Sequence, residues 1–274
     1  MTESSCFIGA FSVKDFIQKT VSYRVDGENI VASLFLPSHR STQKLPCIVL
    51  GHGWGMTAGG DLQDYAKAFV ARGFAALAFD YRNLGRSEGL PRQHLDPWKQ
   101  IADFRASISY ARGLAEIDPE RIGIWGSSYG GGHVLSVTAL DPRVACAVSQ
   151  VPTISGWRAA RSRMSDEAWK TQWATFIADR EATFVGAEMA KILTTSIDPN
   201  AQAAYKDVDS YQYMHEQGKI CPEWENYTTL ASLELARGYE PGSYLYHIVD
   251  VPLAALDLKH RHQNLQLNYV VMRK

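Results

Sequence analysis

The sequence predicts an α/β fold, with a mostly parallel sheet covered by helices on both faces, and three observations carry that prediction. Short β-rich runs alternate with helix-like stretches through the first half of the 274 residues. Asp26-Gly27 places a hairpin turn between the first two runs. After Pro152 the alternation stops and a helix-rich, aromatic stretch replaces it.

In chain order, Val21–Val25 and Ile30–Leu36 read as an antiparallel opening pair, and Cys47–Leu50 as the first parallel strand. Leu62 to Ala71 carries apolar residues at helical spacing and stops at Arg72-Gly73, where glycine can take the left-handed conformation. Ala75–Phe79 is the next strand. Asp96 to Leu114 opens Asp-Pro-Trp, with aspartate as N-cap and proline at the first helical position. Ile122–Trp125 is a strand, a helix follows from Tyr129 to about Leu140, and Val144–Val148 is another strand. From about Ser155 to Gly242 the pattern is that of a helical insertion over one end of the sheet. Its Trp157, Trp169, Trp173 and Trp224 read either as core of that insertion or as the lining of an apolar pocket. Strand character returns at Tyr244–Val249, Pro252–Leu258 and Leu265–Met272. The expected division is residues 1–154 as core, 155–243 as helical lid insertion, and 244–274 as a short, atypical end of the core.

Composition narrows the function classes. With 28 Lys+Arg against 29 Asp+Glu there is no electrostatic reason to expect nucleic acid or an anionic membrane as partner. Seven Trp, 13 Tyr and 10 Phe exclude a chain that stays solvated. The first residues lack the basic and long apolar regions of a secretory signal. No run approaches the roughly 18 apolar residues of a membrane span. Cys6, Cys47, Cys146 and Cys221 form no CxxC pair, which argues against zinc and against a disulfide framework. A soluble, cytoplasmic protein with reduced thiols and neither cofactor nor metal is the expectation.

The chemistry is concentrated in Arg121-Ile-Gly-Ile-Trp-Gly-Ser-Ser-Tyr-Gly-Gly-Gly-His133. Its Gly126-Ser127-Ser128-Tyr129-Gly130 is a G-x-S-x-G pentapeptide between a β-run and a helix, with Ser128 at the nucleophile position. Such a serine sits on a tight turn whose small neighbours let other backbone pass close by, and the helix N-terminus favours developing negative charge. Leu50-Gly51-His52-Gly53-Trp54-Gly55 follows an earlier strand, and its glycines let the backbone bend toward the serine. The Trp54 and Tyr129 amides are then the expected oxyanion hole. His52 reads as a buttress of its loop or as a base, and His133, five residues past Ser128, as a satisfied core histidine.

These segments, together with Asp80-Tyr-Arg-Asn-Leu-Gly-Arg-Ser-Glu-Gly89, resemble the α/β-hydrolase superfamily over about Val21 to Pro152. The resemblance is to its dienelactone-hydrolase-like members, and in particular to the fungal polyketide-transferase and thiohydrolase relatives. It implies acyl transfer through a covalent acyl-serine. A polyketide-type acyl chain would move from a thioester to an alcohol acceptor in secondary metabolism, with a polyketide synthase carrier protein as a candidate donor. Ester or thioester hydrolysis, or a silent ligand-binding protein of this fold, are the alternatives. Asp80 reads as a tie at a strand end or as a catalytic acid, and Arg82 and Arg86 as anion contacts if they face the site.

The family's acid follows the strand corresponding to Val251–Leu256, and its histidine follows one further strand. Here the chain runs Leu256-Asp-Leu-Lys-His-Arg-His-Gln-Asn-Leu265, too short for a parallel crossover, so Leu265–Met272 is expected to return as an antiparallel hairpin. His260 and His262 are the candidate bases, with His247 third, and Asp257 and Asp250 the candidate acids. A Lys-His-Arg-His cluster also reads as a plain solvated turn.

Overall fold

The computed structural model describes residues 16–38, 43–261 and 264–272, with side chains as far as Ala255. β1 (Phe16–Val25) and β2 (Glu28–Pro37) pair antiparallel across Asp26 and Gly27, whose φ angles of +51° and +91° are those a two-residue hairpin turn requires. β3 (Leu45–Gly51), α1 (Leu62–Val70), β4 (Ala75–Phe79), α2 (Pro97–Gly113), β5 (Ile117–Ser127), α3 (Tyr129–Leu140) and β6 (Cys146–Gln150) follow. After the insertion come β10 (Leu253–Arg261) and β11 (Asn264–Met272).

These eight strands form one sheet in the order β1-β2-β4-β3-β5-β6-β10-β11. The block from β4 through β10 is parallel, and antiparallel pairs flank it on both sides. The period-2 alternation of the central strands divides the core. Cys47, Val49, Leu77, Phe79, Ile122 and Ile124 face one way, toward α2 and α3; Ile48, Leu50, Ala76, Ala78 and Trp125 face the other, toward α1. Strand order reverses at β3, which has β4 on one side and β5 on the other. In an open parallel sheet the crevice at such a switch point, outside the strands' C-terminal ends, is where ligands bind. The loop after β3 and the turn after β5 both emerge there.

Between β6 and β10 the chain forms α4 (Gly156–Arg161), α5 (Asp166–Phe184), β7 (Lys191–Thr195), β8 (Ala203–Tyr205), α6 (Val208–Ile220), β9 (Thr228–Thr229) and α7 (Leu230–Arg237). The insertion is therefore not purely helical, because β8, β7 and β9 pair into a small sheet of their own. The expected strand at Tyr244–Val249 is also corrected: Pro241–His247 is a 3₁₀ helix. Pro241 at its start lacks an N–H and packs beside Gly132 of α3, while the Gly242 N–H donates to the Ile154 carbonyl at 2.8 Å. Those local ties override the β-propensity of the aromatic run. The hairpin expected at the chain's end is present, with Leu253 through Arg261 opposite Met272 through Asn264. Among the described residues no helix is long and apolar enough to cross a membrane.

Candidate active site

Ser128 lies between β5 and α3 at φ +55°, ψ −116°, a conformation that costs a non-glycine residue energy and persists only where surrounding contacts enforce it. Those contacts are specific. The Ser128 N–H donates to the Gln150 carbonyl at 2.9 Å, and its carbonyl accepts from Thr153 at 2.9 Å and Gly132 at 3.1 Å. A side chain at Gly126 would collide with the Gly130 carbonyl, and one at Gly130 with the carbonyls of His52 and Gly51. The pentapeptide's glycines are thus the condition for bringing the loop after β3 against the serine. A Cβ on Gly53 would stand 3.3 Å from Ser128 Cβ and 3.8 Å from its Oγ. Val151, directly after β6, is a second strained residue, β-branched at φ +40°.

Trp54 and Tyr129 line the same cavity as Ser128 and pack edge to face at 4.9 Å. Tyr129 opens α3, so its N–H has no carbonyl of the preceding turn to bond. Neither the Trp54 nor the Tyr129 amide finds a hydrogen-bond partner among the described residues. The cavity, about 1470 Å³, runs from the serine along loop 151–155 and under the insertion. Its wall mixes alanines such as Ala159, Ala168 and Ala204 with polar and charged side chains such as Gln172, Asn200, Lys206 and Arg237. Trp157, Trp169, Trp173 and Trp224 do not line it; the first three stack on one another at 4.9 to 6.3 Å.

His52 is buried, and its Nδ1 donates to the Gly53 carbonyl at 2.9 Å, bracing the loop. Burial holds the ring below its ordinary pKa, which keeps it neutral. His133 is fully buried under α3, donating from Nε2 to Gln100 Oε1 and accepting at Nδ1 from the Tyr239 hydroxyl, each at 2.9 Å. It is the satisfied core histidine expected. Asp80 is equally structural. Its Oδ1 accepts from the Ala58 N–H at 2.6 Å and its Oδ2 from Arg86 Nε at 3.1 Å. Arg82 is paired with buried Asp103 at 2.7 Å and with Asp26 at 3.0 Å. Neither arginine lines the cavity.

The C-terminal candidates are placed only in part. His262 lies outside the described residues, and the side chains of Asp257 and His260 are likewise outside them. The backbone register nonetheless positions both residues. Leu256 on β10 pairs with Gln150, which also pairs with Ser127 and accepts the Ser128 N–H. Asp257 therefore follows at the same end of the sheet as the serine. His260 stands four positions beyond Leu256, about 13 Å farther along at ~3.3 Å per strand residue. His247 and Asp250 are exposed and do not line the cavity. Among the described residues no histidine lines it.

Sequence reasoning missed Arg237, which is buried and lines this cavity. At the end of a helix just before Gly238 it reads as an ordinary cation at a helix C-terminus.

A family model described as X-Pro dipeptidyl-peptidase (S15 family) matches residues 26–237. The chain is similar to the Quorum-quenching protein AidA of Acinetobacter baumannii, 43% identical over 53% of this chain and 48% of that protein. Acyltransferase drtE of Aspergillus calidoustus is 31% identical over 65% of this chain and 55% of its own length. Thiohydrolase apmlB of Arthrinium phaeospermum is 30% identical over 75% and 67% respectively. The chain thus spans about half the length of the first two relatives. Among solved structures, the alpha/beta hydrolase GrgF from Penicillium sp. sh18 superposes with a TM-score of 0.73 at 21% identity, covering 87% of this chain and 79% of that one. At that identity the likeness is one of fold.

Proposed function

The chain belongs to the X-Pro dipeptidyl-peptidase (S15) family and has the α/β-hydrolase fold, and from that premise we propose that it performs acyl transfer through a covalent acyl-Ser128 intermediate. Ser128 Oγ attacks a thioester or ester carbonyl, and the Trp54 and Tyr129 amides hold the tetrahedral oxyanion. The carbon–sulfur or carbon–oxygen bond then breaks, and the acyl group passes to an alcohol or to water. One observation carries this reading: a strained serine at a strand–helix junction opens on a cavity shared with two unpaired amides. The names of the fungal relatives, an acyltransferase and a thiohydrolase, support the same chemistry.

The family's peptidase description is not carried over. An amine leaving group needs a proton from a general acid, whereas a thiolate leaves without one. A thioester therefore makes the smaller demand on an acid at the site. A polyketide-type chain, which alternates carbon and oxygen functions, suits a wall that mixes alanines with Thr171, Gln172 and Asn200, and a carrier protein is the natural bearer of such a thioester. Asp257, which follows Leu256 at the serine's end of the sheet, is the acid of this reading and supports the base that takes the serine proton; His260, the candidate base, stands four residues past Leu256 on β10.

The test is to incubate the protein with an acyl thioester and map the adduct by mass spectrometry. An acyl group on Ser128 is expected, and Ser128→Ala should lose the adduct and at least about 10³-fold in turnover. If Ser128→Ala works as well as the parent, the mechanism is wrong. A cavity of this size also admits water, which favours hydrolysis as the second reading, and product analysis with and without an alcohol acceptor separates the two. Failure of the folded protein to react with a fluorophosphonate probe would instead favour a silent binding protein.

A further inference from the structure

Arg237 ends α7 with 3% of its surface exposed and lines the cavity that holds Ser128. Its guanidinium lies over the rings of Trp169, Phe176 and Trp173 at 4.0, 4.5 and 5.0 Å. Nη2 reaches the Met164 sulfur at 3.6 Å. Nη1 is buried without a hydrogen-bond partner among the described residues. Glu234, one turn back, is engaged by Arg180 at 3.3 Å, and among the described residues no carboxylate pairs with Arg237. Burial pulls its pKa down to about 10, which leaves it charged at neutral pH. Aromatic faces stabilise the cation, but they offer no acceptor oxygen to its N–H groups.

The other charged residues on the wall, Arg158, Arg163, Lys206, Glu167 and Asp207, are all exposed, which leaves Arg237 as the buried charge among them. The Asp207 carboxylate is already occupied in capping α6, accepting from the Ser210 N–H at 2.8 Å. The arginine is also firmly mounted. Thr229 caps α7 at one end, and past the other the Tyr239 carbonyl accepts from Gly156 at 2.8 Å. The Tyr239 ring packs 5.4 Å from that of Tyr129, the residue after Ser128.

We propose that Arg237 anchors a carboxylate carried by the acyl group, so that the substrate is the half-ester or half-thioester of a dicarboxylic acid. The ester end is placed at Ser128 by the acyl-enzyme reading above, on which this inference rests. The carboxylate end is placed by Arg237 alone.

Binding to the full chain carrying Ser128→Ala tests it without turnover, read by calorimetry and by the fluorescence of Trp169 and Trp173. Monomethyl suberate, which bears one carboxylate, should bind at least tenfold more tightly than dimethyl suberate, which bears none. Adding Arg237→Met should bring the two within twofold, and Arg237→Lys should keep a clear preference for the carboxylate. Equal binding of the two esters with Arg237 in place overturns the proposal, as does a preference that survives Arg237→Met. If Arg237→Met does not fold, the wild-type comparison and Arg237→Lys still decide. Tight phosphopantetheine binding with no preference between the suberates would put a donor phosphate there, and it too overturns the proposal. The acyl-serine reading fails by a different result, the absence of a Ser128 adduct, which leaves the suberate comparison intact.

Discussion

A serine at φ +55° exists because its neighbours leave it no other place. Gly130 is the tightest point of that arrangement, its Cα facing the His52 carbonyl, with the Gly51 carbonyl 2.7 Å from where a Cβ would be. Gly130→Ala should cost about 1–3 kcal/mol, the range for overpacking a close contact. It should also slow fluorophosphonate labelling of Ser128, because relieving the clash moves the loop that carries Trp54 away from the serine. Urea melts and labelling rates measure the two effects. A variant as stable and as reactive as the parent would mean that the β3 loop can retreat freely. The cation at Arg237 belongs to the same scale: Trp169 and Trp173, which read as insertion core or pocket lining, pack with Phe176 against one guanidinium.

Helix α2 shows what the sequence makes legible at the level of an element. Asp96 caps it, its Oδ1 accepting from the Trp98 N–H at 2.9 Å and the Lys99 N–H at 3.3 Å, with Pro97 at the first position. Asp96→Ala should therefore destabilise the protein by about 1 kcal/mol, measured as a lower urea midpoint with an unchanged slope. The Asp-Pro-Trp signal alone was enough to find this helix start. The parallel strands were readable for a related reason, since Ala75–Phe79 and its neighbours are apolar runs punctuated by turns. Ser128's seat at a strand–helix turn was readable because close backbone approach demands glycine at fixed positions. The small sheet of the insertion was not, because β8 has three residues and β9 two, too few for an alternating pattern to show, and β9 meets β7 across about 35 intervening residues. The Tyr244–Val249 run was misread because its aromatic, β-branched composition counts for less than Pro241 docked on α3. Arg237 was invisible because no local pattern separates an arginine that ends a helix in solvent from one that ends it against a cavity.

The whole molecule depends on how the insertion is fastened to the sheet, and histidines lie at both fastenings. Loop 93–95 clasps the foot of α7: His94 Nδ1 lies 2.8 Å from Thr229 Oγ1, Leu95 N–H donates to Ser232 Oγ at 2.8 Å, and Thr228 Oγ1 donates to the Gln93 carbonyl at 3.1 Å. Past the far end of α7, Tyr239 donates to His133 beneath the elbow helix. Burial depresses the pKa of both rings, and of His52 beside the serine, with His133 falling to about 3 from an ordinary 6.5. The unfolded chain therefore binds more protons than the folded one between those values. For His133 the stability contributed by a neutral, buried ring is complete above about pH 6.5 and is lost as pH falls toward 3, by up to roughly 1.4 kcal/mol per pH unit, and His94 and His52 act in the same direction. Unfolding free energies measured in urea at pH 7.5, 6.5, 5.5 and 4.5 should be level over the first interval and fall over the rest. His133→Gln should start less stable at pH 7.5, having lost part of its buried hydrogen bonding, yet decline less steeply on acidification because one titrating ring is gone. An unchanged acid slope in that variant would show that His133 is not the group whose protonation loosens the join between insertion and sheet.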